Sequence, residues 1–215
     1  RRIIEPIIIG EHDFDTLSDD FMYVKDLGLI SDTPERLGPS NPIYAEVIAR
    51  TLTNSMQQQL LRDSKEYQLP RYLKNGRIDM NFLMRDFQQF WRENSAIWLE
   101  KFDYKEAAPH LILMAFLQRV VNGDGWIIRD MAAGSGRLDL CVFYNREKYP
   151  IELKIWRGKK SREKGVEQTL RYMDIFGLTE GWLAIFDRNP EILWEKKIYM
   201  EKHIADGKTV TIVGL

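Results

Sequence analysis

The sequence predicts a mixed α/β (α+β) fold whose core runs helix, three strands, helix, strand. Residues 137–144 and 148–156 alternate with period two around a turn at Asn145-Arg146-Glu147, as two adjacent strands do. Segments of helical period, 103–121 and 161–176, stand before and after the strands, with further strands at 126–131 and 181–187. A content of 44% hydrophobic and 12% aromatic residues in 215 supports a real core, in one large domain or in a typical domain with a small one.

In chain order, residues 18–29 come first, with apolar side chains at 21, 22, 24, 27 and 29, a helical spacing that Gly28 ends. A Pro/Gly-rich turn over 34–42 and an extended stretch over 41–49 follow. Helix, turn and strand suit the back half of a winged-helix unit, so 1–53 reads as a partial winged-helix module. Its helix carries Asp19, Asp20 and Asp26 against Lys25, with Asp13 and Asp15 just before it. A DNA-reading helix should be basic, so domain docking is the expected role. Residues 54–80 are polar, include Gln57-Gln58-Gln59, and read as a partly helical connector to a domain over 81–215.

Within that domain, apolar residues at 82, 83, 87, 90, 91, 97, 98 and 99 predict a long amphipathic helix whose aromatic stripe is core. Gly134-Ser135-Gly136 lies between two strands and precedes no helix, which makes it a turn and not a phosphate loop. Strand-like stretches at 193–200 and 209–213 close the chain.

Thirteen residues separate Asp139 from Glu152, one on each of the two adjacent strands. Glu152 and Lys154 share one face of theirs, opposite Ile151, Leu153 and Ile155, while Asp139 shares a face with Cys141 and Phe143. Both faces are partly apolar, which suggests a covered sheet. Three charged side chains there are costly to desolvate unless something compensates them, and a divalent cation would do so. The plainer pairings are Asp139 with Arg137 and Glu152 with Lys154.

The net charge of −1 argues against a uniformly basic nucleic-acid binder, yet residues 146–164 hold eight Lys/Arg against three Glu. That run is either a solvated loop or a rim for a polyanion. Cys141 is the single cysteine, so there is neither a disulfide framework nor a cysteine zinc site; His12 and His203 have no partner spacing, and His110, four residues after Glu106 on an otherwise apolar helix, reads as packed. No apolar run is long enough to cross a bilayer and no signal peptide opens the chain, so a soluble, cytoplasmic protein is expected. The opening Arg1-Arg2-Ile3-Ile4-Glu5, with no initiator Met, reads as the start of a fragment of something longer.

The element order, with Asp139 and Glu152-Leu153-Lys154 on its second and third strands, resembles the PD-(D/E)XK nuclease superfamily over about 103–187. The segment Leu17–Ile30, then Asn41-Pro42-Ile43-Tyr44-Ala45-Glu46-Val47-Ile48, resembles the winged-helix region of prokaryotic AAA-type ATPases. Some of those ATPases end in such a nuclease-like domain. The resemblance implies a restriction-endonuclease-like αβββαβ core in the C-terminal region of an ATPase. ATP would belong only to an upstream domain, since nothing here looks like a Walker A loop.

By the same resemblance, Asp139 and Glu152 would coordinate Mg2+ or Mn2+, with Glu106 as a further ligand. Asp103-Tyr104-Lys105-Glu106 fits a helix capping box equally well. Lys154 would lie beside the attacking water, and Gln168 would steady the lysine or the substrate. Tyr172, one helical turn from Gln168, would contact substrate, as would Arg157, Lys159 and Lys160 in the basic run. Leu138 stands where the name-giving Pro would be. The implied activity is metal-dependent phosphodiester hydrolysis of nucleic acid, DNA in the first instance. The implied partners are that nucleic acid and the upstream ATPase domain, through which the chain could oligomerise. The alternatives are a non-catalytic nucleic-acid-binding module and a protein-interaction domain that regulates the ATPase.

Overall fold

The structure, a computed structural model, describes residues 3, 18–33, 36–40, 69–101, 107–121, 125–134 and 136–215. The chain divides into two compact units, one of Arg1–Ser64 with Ala96–Ala115 and one of Lys65–Ser95 with Phe116–Leu215. The units interleave along the chain. Both later divisions fall inside helices, where no proline, glycine or polar linker marks them.

In the first unit, α1 (Asp19–Asp26) begins at Ser18, whose Oγ accepts the Phe21 N–H at 3.3 Å. Asp19 and Asp20 in its first turn complement the helix dipole. Gly28 ends the helix at φ 67. A hairpin follows, with β1 (Ile30–Thr33) antiparallel to β2 (Arg36–Pro39). β2 falls where a turn over 34–42 was expected. Four residues ending in Gly38-Pro39 carry no alternation to read, and an outer strand of a two-stranded ribbon tolerates them. Phe21, Val24 and Ile30 form a small apolar cluster with Ile3 and Leu29. The extended stretch expected at 41–49 and the connector up to residue 68 lie outside the described residues.

The second unit starts with a 3-10 turn at Leu69–Tyr72 and a short hairpin, β3 (Leu73–Lys74) and β4 (Arg77–Ile78). Asn75 and Gly76 take φ 54 and 76, so the Asn-Gly pair makes the tight turn that it favours, inside what the sequence reading treated as connector. Two long helices, α2 (Met80–Lys101) and α3 (Ala107–Val121), precede the sheet in the chain, and Ala96–Ala115, which takes in the end of one and the start of the other, is counted with the first unit.

Six strands form one mixed sheet: β5 (Gly125–Ala133), β6 (Gly136–Tyr144), β7 (Glu147–Ile155), β8 (Glu180–Phe186), β9 (Tyr199–Ala205) and β10 (Lys208–Gly214). Their order is β5-β6-β7-β8-β10-β9. β5, β6 and β7 are an antiparallel meander. α4 (Lys159–Phe176) crosses from β7 to the parallel β8, β10 is parallel to β8, and β9 closes the far edge antiparallel to β10.

Helices cover both faces of this sheet. On one, the Phe186 ring lies 6.4 Å from Phe87 and 5.2 Å from Trp91 of α2, and Trp182 Nε1 donates to Asn81 Oδ1 at 3.0 Å. On the other, Val166 and Met173 of α4 pack on Leu183, Ile185, Val210 and Ile212. Glycine permits this close approach: a Cβ at Gly165 would lie 2.7 Å from Leu183, and one at Gly181 2.8 Å from Thr169 and Met173.

The stretch 193–200 is not a strand, as the sequence reading expected, but mostly a helical turn, α5 (Trp194–Lys197), before β9 begins at Tyr199. β9 escaped the sequence reading because residues 201–204 of this edge strand are all exposed and leave no alternation of burial. Among the described residues no helix is long and apolar enough to cross a membrane.

Candidate metal and nucleic-acid site

Two strand ladders fail at the same residue. The β5–β6 ladder pairs Arg129 with Leu140 and Met131 with Leu138 but skips Asp130 and Asp139 between them, and Asp130 turns to φ 47. The β6–β7 ladder runs from Tyr144 and Glu147 to Leu140 and Ile151, then stops one pair short of Asp139 and Glu152. β7 carries on beside β8 as far as Ile155 and Phe186. Asp139 therefore stands in the fork of two parting strands. Its Oδ2 accepts the Leu153 N–H at 2.7 Å, taking the place of a ladder bond.

Glu152 is 1% exposed. Its Oε1 accepts from Lys154 Nζ at 2.6 Å, so the plain Glu152–Lys154 pairing is present, yet its buried Oε2 has no hydrogen-bond partner. Lys154 Nζ also donates to Leu153 O at 3.1 Å, and the lysine side chain stays 20% exposed. Burial pushes the Glu152 carboxyl up to about 7, the Asp139 charge adds to the rise, and Lys154 opposes it. Burial also raises Asp139, against the pull of Lys154 and the Leu153 amide. One lysine thus faces two carboxylates, and burial penalises both.

α4 bounds the site. A Cβ at Gly165 would come within 3.2 Å of Lys154 Cγ, so the helix lies on the lysine stem. Tyr172, two turns on, is 1% exposed and its hydroxyl donates to the Arg137 carbonyl. That bond is a strut that ties α4 to β6. The hydroxyl of an aromatic residue reads the same in sequence whether it faces solvent or a carbonyl. Gln168 lies between these two anchors on the same flank of α4, and its Oε1 is also buried without a partner.

Arg157, Lys159 and Lys160 are exposed where β7 passes into α4. Gly158, at φ 99, is the N-cap and supplies no side-chain cap, and the first turn holds no acid. Lysines in a first turn oppose the helix dipole, and an anion placed there would reverse that penalty.

Glu106, the expected third ligand, lies outside the described residues. Among the described residues no group of three or more His, Cys, Asp or Glu side chains gathers as a metal cluster. Sequence reasoning missed Asp130, whose charge raises the Asp139 carboxyl further while Arg129 counters it. Its one sequence signal is that aspartate tolerates a left-handed backbone better than most residues. No family model matches the chain, and neither a curated protein nor a solved structure matches it.

Proposed function

We propose that this protein is a metal-dependent nuclease domain of the PD-(D/E)XK kind, with a restriction-endonuclease-like core, from the C-terminal region of an AAA-type ATPase. The observation that carries the reading is the charge imbalance at the fork. Lys154 pairs with the buried Glu152 and also faces the half-buried Asp139, and Glu152 Oε2 has no hydrogen-bond partner. Carboxylate oxygens are hard donors, so the set suits Mg2+ or Mn2+, held by Asp139 and Glu152, with Glu106 the further ligand that the resemblance implies.

The bound cation would neutralise charge on the scissile phosphate and make water a better nucleophile at neutral pH. The Leu153 amide fixes the Asp139 carboxylate. Lys154 has three N–H donors and uses two, on Glu152 and Leu153, which leaves one to orient water or steady a phosphate oxygen. Gln168 offers its side-chain amide from α4, and Arg157, Lys159 and Lys160 guide the backbone of the substrate.

Plasmid cleavage with Mg2+ or Mn2+ tests this directly. Metal-dependent nicking that EDTA stops, and that falls roughly a hundredfold or more in Asp139→Ala and in Lys154→Ala, is the expected result. No cleavage by the wild type, or equal cleavage by the variants, sinks the nuclease reading. The second reading, a non-catalytic nucleic-acid-binding module, is favoured by the Glu152–Lys154 ion pair, which partly neutralises the site without a metal. It calls for salt-sensitive DNA affinity that survives Lys154→Ala.

A further inference from the structure

We propose that a cleft beside the N-terminus of α4 receives an unpaired nucleobase, so that the substrate is single-stranded or locally unpaired nucleic acid. This rests on the nuclease reading and adds the substrate class to it. The cleft, of about 610 Å³, lies along α4 with Ile212 of β10 among its lining residues, a size suited to a small organic ligand. Its apolar lining is Val166, Leu170 and Ile212 together with the half-buried indole of Trp156. The Trp156 N–H donates to Phe186 O at 2.9 Å, which continues β7 beyond Lys154. Period two then sets Trp156 on the same face of the sheet as Lys154.

Helical geometry separates the cleft from the fork. Val166 and Leu170 occupy one flank of α4 and Gln168 the other, so about 10 Å, the width of a helix, lies between them. The way from one to the other runs around the first turn of α4. There Arg157, Lys159 and Lys160 stand exposed and Lys159 also lines the cleft. A strand whose backbone crosses this turn can lay one phosphate at the fork and turn a neighbouring base toward Trp156.

The charges inside the cleft select the base over the phosphate. Glu163 and Glu167, both exposed, line it together with Lys159 and His203, while Arg162 is tied to Glu201. With Arg162 engaged, the two carboxylates outnumber Lys159, so the cleft favours an uncharged base over a second phosphate. A base presents an apolar face to the indole and N–H edges to those carboxylates. An aliphatic chain in the same space would offer these carboxylates no donor. A base in a duplex has both faces covered by its neighbours, so only an unpaired one fits.

The test is fluorescence anisotropy on the full chain with EDTA present, using a labelled single-stranded DNA decamer, the same decamer with one abasic position, and its blunt duplex. The wild type is expected to bind the single strand more tightly than the duplex. Trp156→Ala should weaken the single strand about tenfold and leave the duplex unchanged, with Trp156→Phe retaining most of the affinity as the fold control. The most favourable abasic placement should mimic Trp156→Ala in the wild type and cost nothing further in the variant. Equal single-strand affinity in wild type and Trp156→Ala, or duplex affinity equal to single-strand affinity, overturns the cleft assignment and leaves the nuclease reading standing. Absence of binding to every probe also overturns the cleft assignment, while the cleavage assay decides the nuclease reading.

Discussion

The two halves of the six-stranded sheet are built on different terms. From β8 through β10 to β9 the ladders run unbroken, with six consecutive pairs and then seven, beneath an apolar layer of Leu183, Val210 and Ile212. From β5 through β6 to β7 both ladders lapse at Asp139, and the charged residues collect there. The contrast separates stability from chemistry. Continuous backbone pairing over apolar side chains holds the fold, and the gap where strands part is where carboxylates can be kept without a full complement of partners.

The comparison breaks most visibly if the regular half proves unimportant. Leu183 is fully buried under α4, so Leu183→Ala should cost about 2–5 kcal/mol in urea unfolding. A loss below that range would mean that the α4 layer yields easily and that the two halves do not differ as described.

The fork should behave in the opposite way. Burial pushes the Glu152 carboxyl up to about 7 in the folded protein, against 4.5 for a free glutamate side chain. Between those values the folded state holds more protons than the unfolded one. Stability is therefore full below pH 4.5 and is lost as pH rises through 7, by on the order of 3 kcal/mol for the metal-free protein. Glu152→Gln removes the titration, so thermal melts in EDTA should show a smaller fall between pH 5 and pH 8 than the wild type. An identical fall in both proteins would mean that Glu152 carries no such strain.

The smallest effect is expected at the rim. Arg77 and Glu147 form an exposed ion pair at 3.1 Å, and Arg77→Ala should change stability by less than about 1 kcal/mol by the same melts. A larger loss would show that the β3–β4 hairpin, and not the main sheet, anchors this side of the unit.

By itself, the sequence determined which residues form the strands of the meander and the crossing helix, and which faces they present. Alternation along 137–144 and 148–156 set Glu152 with Lys154 on one face of their strand, and Asp139 with Cys141 and Phe143 on one face of theirs, because side-chain direction in a strand is a local property of period two. The same locality hid the rest. An edge strand such as β9, exposed on both faces through 201–204, has no burial pattern to read, and a ribbon strand ending in Gly38-Pro39 has none either. Nothing local shows that Tyr172 turns its hydroxyl to the Arg137 carbonyl. Only the tertiary structure decided that both ladders fail at Asp139, that Glu152 buries one oxygen without a partner, and that Trp156 lines a cleft shared with α4 and β10. Each depends on where three or more elements meet, and desolvation and pairing arise only once segments distant in the chain have come together.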